Sequence, residues 1–119
     1  MPRFVILEHD HPHLHWDFML EAGEVLRTWK LFATPGFDKE IPAEKSFDHR
    51  PRYLNYEGPI GDNRGNVIRW DFGLFTWMGD LPEKLRVTLE GQKIQGIAQI
   101  TQTREGNWVF CFTRNADGN

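Results

Sequence analysis

Short apolar runs bounded by Gly, Pro, Asn and Asp recur along the whole chain, whereas helical periodicity is hard to find. "RFVILE" predicts a first strand. "LHWDFMLE" predicts a second, in which His13, His15, Asp17 and Met19 alternate with Leu14, Trp16, Phe18 and Leu20. A side-chain period of two places His15 and Asp17 on one face and the large apolar residues on the other. "EAGE" supplies a glycine-bearing hairpin turn into a third strand, "VLRTWKLF". Ala33 to Pro51 carries prolines, a glycine and several charges, which predicts a long loop after the third strand with a helical turn near Ala43 to Lys45. Strands resume at "RYLNYE", "VIRWDFG" and "LFTWMG". They continue through "KLRVTLE", "KIQGIAQITQT" and "WVFCFTR", with "GQ" and "REGN" as turns. About seven or eight strands at this spacing predict an all-β domain, either a sandwich or a small closed or nearly closed antiparallel barrel, and closure would remove exposed edges.

Composition narrows the class. The 119 residues, with no internal repeat, low-complexity tract or linker, fit one domain spanning 1–119. A hydrophobic content of 39% with 13% aromatics argues against disorder, and no apolar run reaches the length of a membrane span. A soluble protein without membrane contact is expected. "MPRFVILEHD" meets charge too soon for a secretory signal, and the single cysteine, Cys111, has no internal partner, so a reducing cytoplasm is the expected compartment. A net charge of −3 speaks against a protein that coats nucleic acid through sheer positive charge. Arg50, Arg52, Arg64 and Arg69 still outnumber the nearby acids, enough to seat one phosphate or to form an ordinary solvated surface.

Four of the five histidines fall in "EHDHPHLHWDF", residues 8 to 18. Residues two apart on a strand point the same way, so His15 and Asp17 can converge on one ion. The turn-forming stretch from Asp10 to Pro12 allows an antiparallel return that brings His9 beside His15. Two imidazoles and a carboxylate suit Zn²⁺, Mn²⁺ or Fe²⁺ and leave coordination positions open. From spacing alone a second reading stays open: His11 and His13 as exposed loop residues, and His15 as a partly buried imidazole bonded to a carboxylate. His49, in "SFDHRPRY" beside Arg50 and Arg52, fits an anion contact or a surface loop equally well, and Tyr53 fits either that site or ordinary packing.

"RFVILEHDHPHLHWDFMLE" resembles the 3′-phosphoesterase domain of bacterial DNA ligase D, whose opening pattern runs F-V-I-Q-x-H, five residues, then H-x-D-F-R-L-E. The likeness continues through Val25 and Trp29, "DHRPRYLNYEGPI", "GNVIRWDFGLFTW", "LEGQKIQGIAQI" and "NWVF", covering nearly the entire chain. The resemblance implies a small β-barrel that repairs DNA 3′ ends in end joining, removing a terminal ribonucleoside and then hydrolysing the exposed 3′-phosphate. It implies a divalent metal, typically Mn²⁺, with Zn²⁺ or Co²⁺ as alternatives. Carried over by position, His9, His15 and Asp17 become metal ligands, and His49 and Tyr53 fall at the phosphate-side catalytic positions. Arg50 and Arg52 are the accompanying phosphate-binding candidates. The implied partners are DNA or DNA/RNA 3′ ends. Since 119 residues leave no room for polymerase or ligase domains, the expectation is a free-standing module with separate ligase or polymerase proteins as partners.

Three positions depart from the family pattern. Leu7 replaces its glutamine, Met19 its arginine and Ala33 its lysine. Methionine cannot replace the bidentate clamp of arginine on phosphate, a loss worth about 2–4 kcal/mol of transition-state stabilisation. Arg27, Lys30, Arg50 and Arg52 are the candidates to restore the charge. The departures also motivate an alternative, a catalytically impaired module that keeps the metal site and binds DNA ends or a partner. A lesser alternative takes His15, Asp17 and a distal His49 as the facial triad of a non-haem iron oxygenase.

Overall fold

A computed structural model describes residues 2–114. Its strands, in chain order, are β1 (Arg3–His9), β2 (His15–Ala22), β3 (Val25–Leu31), β4 (Glu40–Lys45), β5 (Gly58–Pro59), β6 (Asn66–Leu81), β7 (Lys84–Gly91), β8 (Gln95–Gln102) and β9 (Trp108–Thr113). The antiparallel ladder runs β1-β2-β3-β4-β9-β8-β7-β6 and closes by pairing β6 with β1. The result is an eight-stranded barrel. The two-residue β5 pairs only with the start of β6. Among the described residues no helix is long and apolar enough to cross a membrane.

Three local expectations change. The predicted loop from Ala33 to Pro51 contains β4, which joins β3 to β9 and completes the barrel where a helical turn was expected at Ala43 to Lys45. Its interior is only Ile41 and Ala43, and Pro42 lies just beyond the last residue paired with β3, where the missing N–H costs little. "RYLNYE" is no strand: Pro51–Leu54 forms a 3-10 helix, with proline in its first turn and Arg50 extended before it. Tyr53, within this helix, and Tyr56, just after it, both pack on an apolar cluster. "VIRWDFG" and "LFTWMG" merge into the continuous 16-residue β6. Gly73, which ends the first run, lets the backbone pass directly against the Glu90 carbonyl, so it marks a close approach rather than a break.

Alternation along the strands builds two apolar clusters. Phe4, Ile6, Phe18, Leu20, Trp29, Leu31, Phe75, Leu89, Phe110 and Phe112 fill the barrel interior. The opposite faces of β1, β2, β3 and β6 present Val5, Leu7, Met19, Leu26 and Val67, and the 3-10 helix covers them with Leu54. This outer cluster positions the site. His9, His15 and Asp17 share its face of β1 and β2.

A second buried carboxylate anchors the far side of β6. Asp71 Oδ1 accepts N–H bonds from Phe72 (2.8 Å), Gln92 (2.7 Å) and Lys93 (3.1 Å), and Oδ2 accepts one from Ile94 (2.9 Å). A side chain at Gly91 would collide with this carboxylate, so glycine is required there.

Candidate functional site

β1 and β2 pair with His9 opposite His15 and Leu7 opposite Asp17. The antiparallel return expected from the Asp10–Pro12 turn is therefore present, and the two rings lie 4.9 Å apart between centroids. One donor atom from each of His9, His15 and Asp17 falls within 4.8 Å of the others. His49 is not a member of this group, so the triad required by the oxygenase alternative does not assemble; His9 takes the third place.

Hydrogen bonding fixes how the imidazoles face. His9 Nε2–H donates to the Arg64 carbonyl (2.8 Å), and His15 Nδ1–H donates to the His13 carbonyl (2.8 Å). A carbonyl only accepts, so each of these nitrogens carries the proton, and in the neutral ring the other nitrogen offers its lone pair. Those lone pairs, His9 Nδ1 and His15 Nε2, point at the two oxygens of Asp17 across 3.4 and 3.1 Å. Acceptors are thus aimed at acceptors. Something positive must sit among them, either extra protons or a cation, and the protonation energetics say the same. Burial pushes the Asp17 carboxyl up, but hydrogen bonds from His15 and His9 outweigh it and hold the group at about 2. His9 is raised above 6.5, chiefly by its hydrogen bond to Asp17. The donor set fits a divalent cation: two neutral imidazoles, one anionic carboxylate, and outer ring nitrogens already tied to carbonyls.

The centre opens into a cavity of about 610 Å³. Its far wall is the segment from Ser46 to Tyr53, held to β3 by paired main-chain bonds between His49 and Leu26 (2.8 and 2.9 Å). His49 Nδ1–H donates to the Phe47 carbonyl (2.9 Å), leaving Nε2 free, and burial lowers its pKa below 6.5. Tyr53 packs edge-on to His49 with centroids 5.7 Å apart. Arg50 and Arg52 line the same cavity, and Arg52 also lies over the Tyr53 and Tyr56 rings at 5.2 and 5.1 Å. All seven residues singled out in the sequence therefore border one space.

Lys30 and Arg64 also border it, although neither stood among the principal site residues. Lys30 is the cross-strand partner of Asp17 on β3, a placement legible only once strand register is known. Arg64 serves through its carbonyl, which no side-chain pattern announces. Arg27, by contrast, is committed elsewhere: it bonds both oxygens of Asp80 at 3.2 Å and stacks between Trp29 and Trp77. Leu7 and Met19, each 1% exposed, form an apolar floor beside Asp17, and Ala33 packs on the interior cluster.

Residues 7–102 match the DNA Ligase D 3'-phosphoesterase domain. The chain belongs to that family. It is 32% identical to the multifunctional non-homologous end joining protein LigD of Pseudomonas aeruginosa over 97% of its length, covering 15% of that protein. It is 33% identical to the protein of the same name from Mycolicibacterium smegmatis over 90% of its length, covering 16% of it. The multifunctional non-homologous end joining DNA repair protein LigD of Mycobacterium tuberculosis is 32% identical over 94% of this chain, which covers 16% of that protein. The chain thus spans about one-sixth of the relatives it matches.

Proposed function

We propose that this protein is a divalent-metal phosphoesterase that processes nucleic-acid 3′ ends during end joining, taking a 3′-phosphate or a 3′-terminal ribonucleoside. The observation that carries it is the convergence of two imidazole lone pairs and an ionised carboxylate beside a cavity walled by His49 and by cationic residues that include Lys30, Arg50 and Arg52. His9, His15 and Asp17 would hold the cation, Mn²⁺ first and Zn²⁺ or Co²⁺ as alternatives; when bound it polarises a phosphoryl oxygen and stabilises the charge that develops there.

The chain's own groups supply the rest. Lys30, Arg50 and Arg52 attract the phosphate and offset its charge. His49 enters neutral at pH 7, because burial lowers its pKa. An arriving phosphate anion favours the imidazolium, so the ring takes up a proton at Nε2 and donates it to a phosphate oxygen or to the leaving oxygen. The bond to the Phe47 carbonyl keeps Nδ1 protonated and the ring oriented throughout. Tyr53 braces that ring from its edge.

Incubation with Mn²⁺, Co²⁺ or Zn²⁺ and a primer-template ending in a 3′-phosphate or a single ribonucleotide tests the proposal. Release of phosphate or nucleoside is expected with at least one metal. No processing with any of them would defeat it. The apolar floor of Leu7 and Met19 favours one second reading, an end-binding module without turnover. Salt-sensitive binding to 3′-phosphate ends with no product would select that reading.

A further inference from the structure

Phe47 is the most exposed large hydrophobic residue among the described residues, at 74% of its surface, and it stands on the rim of the cavity. Its ring is not loosely displayed. It lies face to face with His49, centroids 4.5 Å apart and planes 10° from parallel, and His49 in turn meets Tyr53 edge-on. The Phe47 carbonyl accepts the His49 Nδ1–H, so ring and backbone of one residue fix the other. Leaving a phenyl ring in water forfeits burial that the outer cluster, a few residues away, offers to Tyr53 and Tyr56. One aromatic face is used up on His49. The other stays open.

Resting on the phosphoesterase reading, we propose that Phe47 is the stacking platform for the nucleobase of the 3′-terminal nucleotide, the base attached to the sugar that bears the processed phosphate. The geometry supplies the reason. His49 is the phosphate-side imidazole, and a flat ring stacked on it places an apolar surface one side chain away from the phosphate position. Any base has a π-face, so recognition of this kind is tolerant of sequence, as end repair requires. It also compensates for the apolar floor: with Met19 in place of a phosphate-clamping arginine, binding of the terminal nucleotide shifts from its phosphate toward its base. The cations around the cavity complete a surface that takes a base and its phosphate together.

The test uses a primer-template with 2-aminopurine at the 3′-terminal, 3′-phosphorylated position, titrated with the protein with and without Mn²⁺. Binding of the natural protein quenches the fluorophore through stacking. Phe47→Ala, at an exposed position where folding is not at stake, abolishes the quench and weakens binding about tenfold. Phe47→Trp restores both. An abasic terminal nucleotide weakens the natural protein about as much as Phe47→Ala does and costs that variant little more, because the two changes remove one interaction. If the natural protein binds and processes ends but Phe47→Ala quenches and binds equally well, the stacking role is overturned while the phosphoesterase reading stands. If the natural protein neither binds nor processes any 3′ end, both fall.

Discussion

Among the described residues the barrel buries two aspartates, and they are satisfied in opposite ways. Asp71, 1% exposed, accepts four main-chain N–H bonds that lock the turn between β7 and β8. Asp17, 5% exposed, meets imidazoles at 3.1 and 3.4 Å, whose ring protons are turned away toward carbonyls. Backbone donors cannot leave without undoing the fold, so a carboxylate saturated by them is structural. A carboxylate facing lone pairs needs protons or a cation between them, and under the proposed function that place is taken by the metal. Burial alone does not distinguish these two acids; the source of their hydrogen bonds does.

The sharpest break in this contrast is Asp17→Asn. It removes the anionic donor, and Mn²⁺ affinity should fall on the order of 10³-fold, with 3′-end processing lost alongside. Calorimetric titration with Mn²⁺ checks it, and undiminished affinity would mean the three residues do not form the cation site. Next in size, Asp71→Asn should destabilise the fold by about 3 kcal/mol, because an amide NH₂ replaces an acceptor facing buried N–H groups. The Mn²⁺-induced rise in melting temperature should survive in Asp71→Asn and vanish in Asp17→Asn. An intermediate effect is expected for Gly65→Ala. Gly65 has φ of +81° and no space for a side chain against Asp10 and His11, and the Arg64 carbonyl beside it orients His9. Displacing that carbonyl should cost about tenfold in Mn²⁺ affinity while leaving Asp71 undisturbed.

The smallest effect is a pH dependence. His9 is raised above 6.5, so in the metal-free protein its partnership with Asp17 contributes fully below that value and fades as pH climbs through the raised pKa. Asp17, held at about 2, contributes above its ordinary 3.8 and loses that contribution only as pH falls toward 2. The raised His9 pKa means that its proton competes with a cation for Nδ1 in the neutral range. Loss of that proton should make Mn²⁺ affinity climb with pH, by about tenfold per unit at the steepest for this one group. A flat profile between pH 6 and 8 would remove His9 from the ligand set.

Strict alternation made the central part of this arrangement readable from sequence. His15 and Asp17 sit on a strand whose other face is Trp16, Phe18 and Leu20, and a period of two leaves no ambiguity about which residues share a side. β4 was illegible because only Ile41 and Ala43 face inward while Glu40, Pro42, Glu44 and Lys45 read as loop. The 3-10 helix hides in "RYLNYE" because its aromatic and aliphatic residues suit a strand, and only the proline that opens it marks a tight turn. The glycines of "WDFG" and "LEGQ" carried a pattern without a reason. The fold supplies one: Gly73 and Gly91 are cross-strand partners, and Asp71 reaches over Gly91 to the next turn. Lys30 and the Arg64 carbonyl depended on register and on backbone, which composition does not encode.

The bore of this cylinder is plugged by aromatic rings, so nothing can thread it. The candidate site hangs on the outer wall instead, with a strap of 3-10 helix and hairpin folded over one edge. A workbench of this kind admits a guest from the side, whatever the length of the polymer trailing behind. It also lets the staves beneath keep their tightly packed interior, since lodging that guest asks nothing of the space inside the cask.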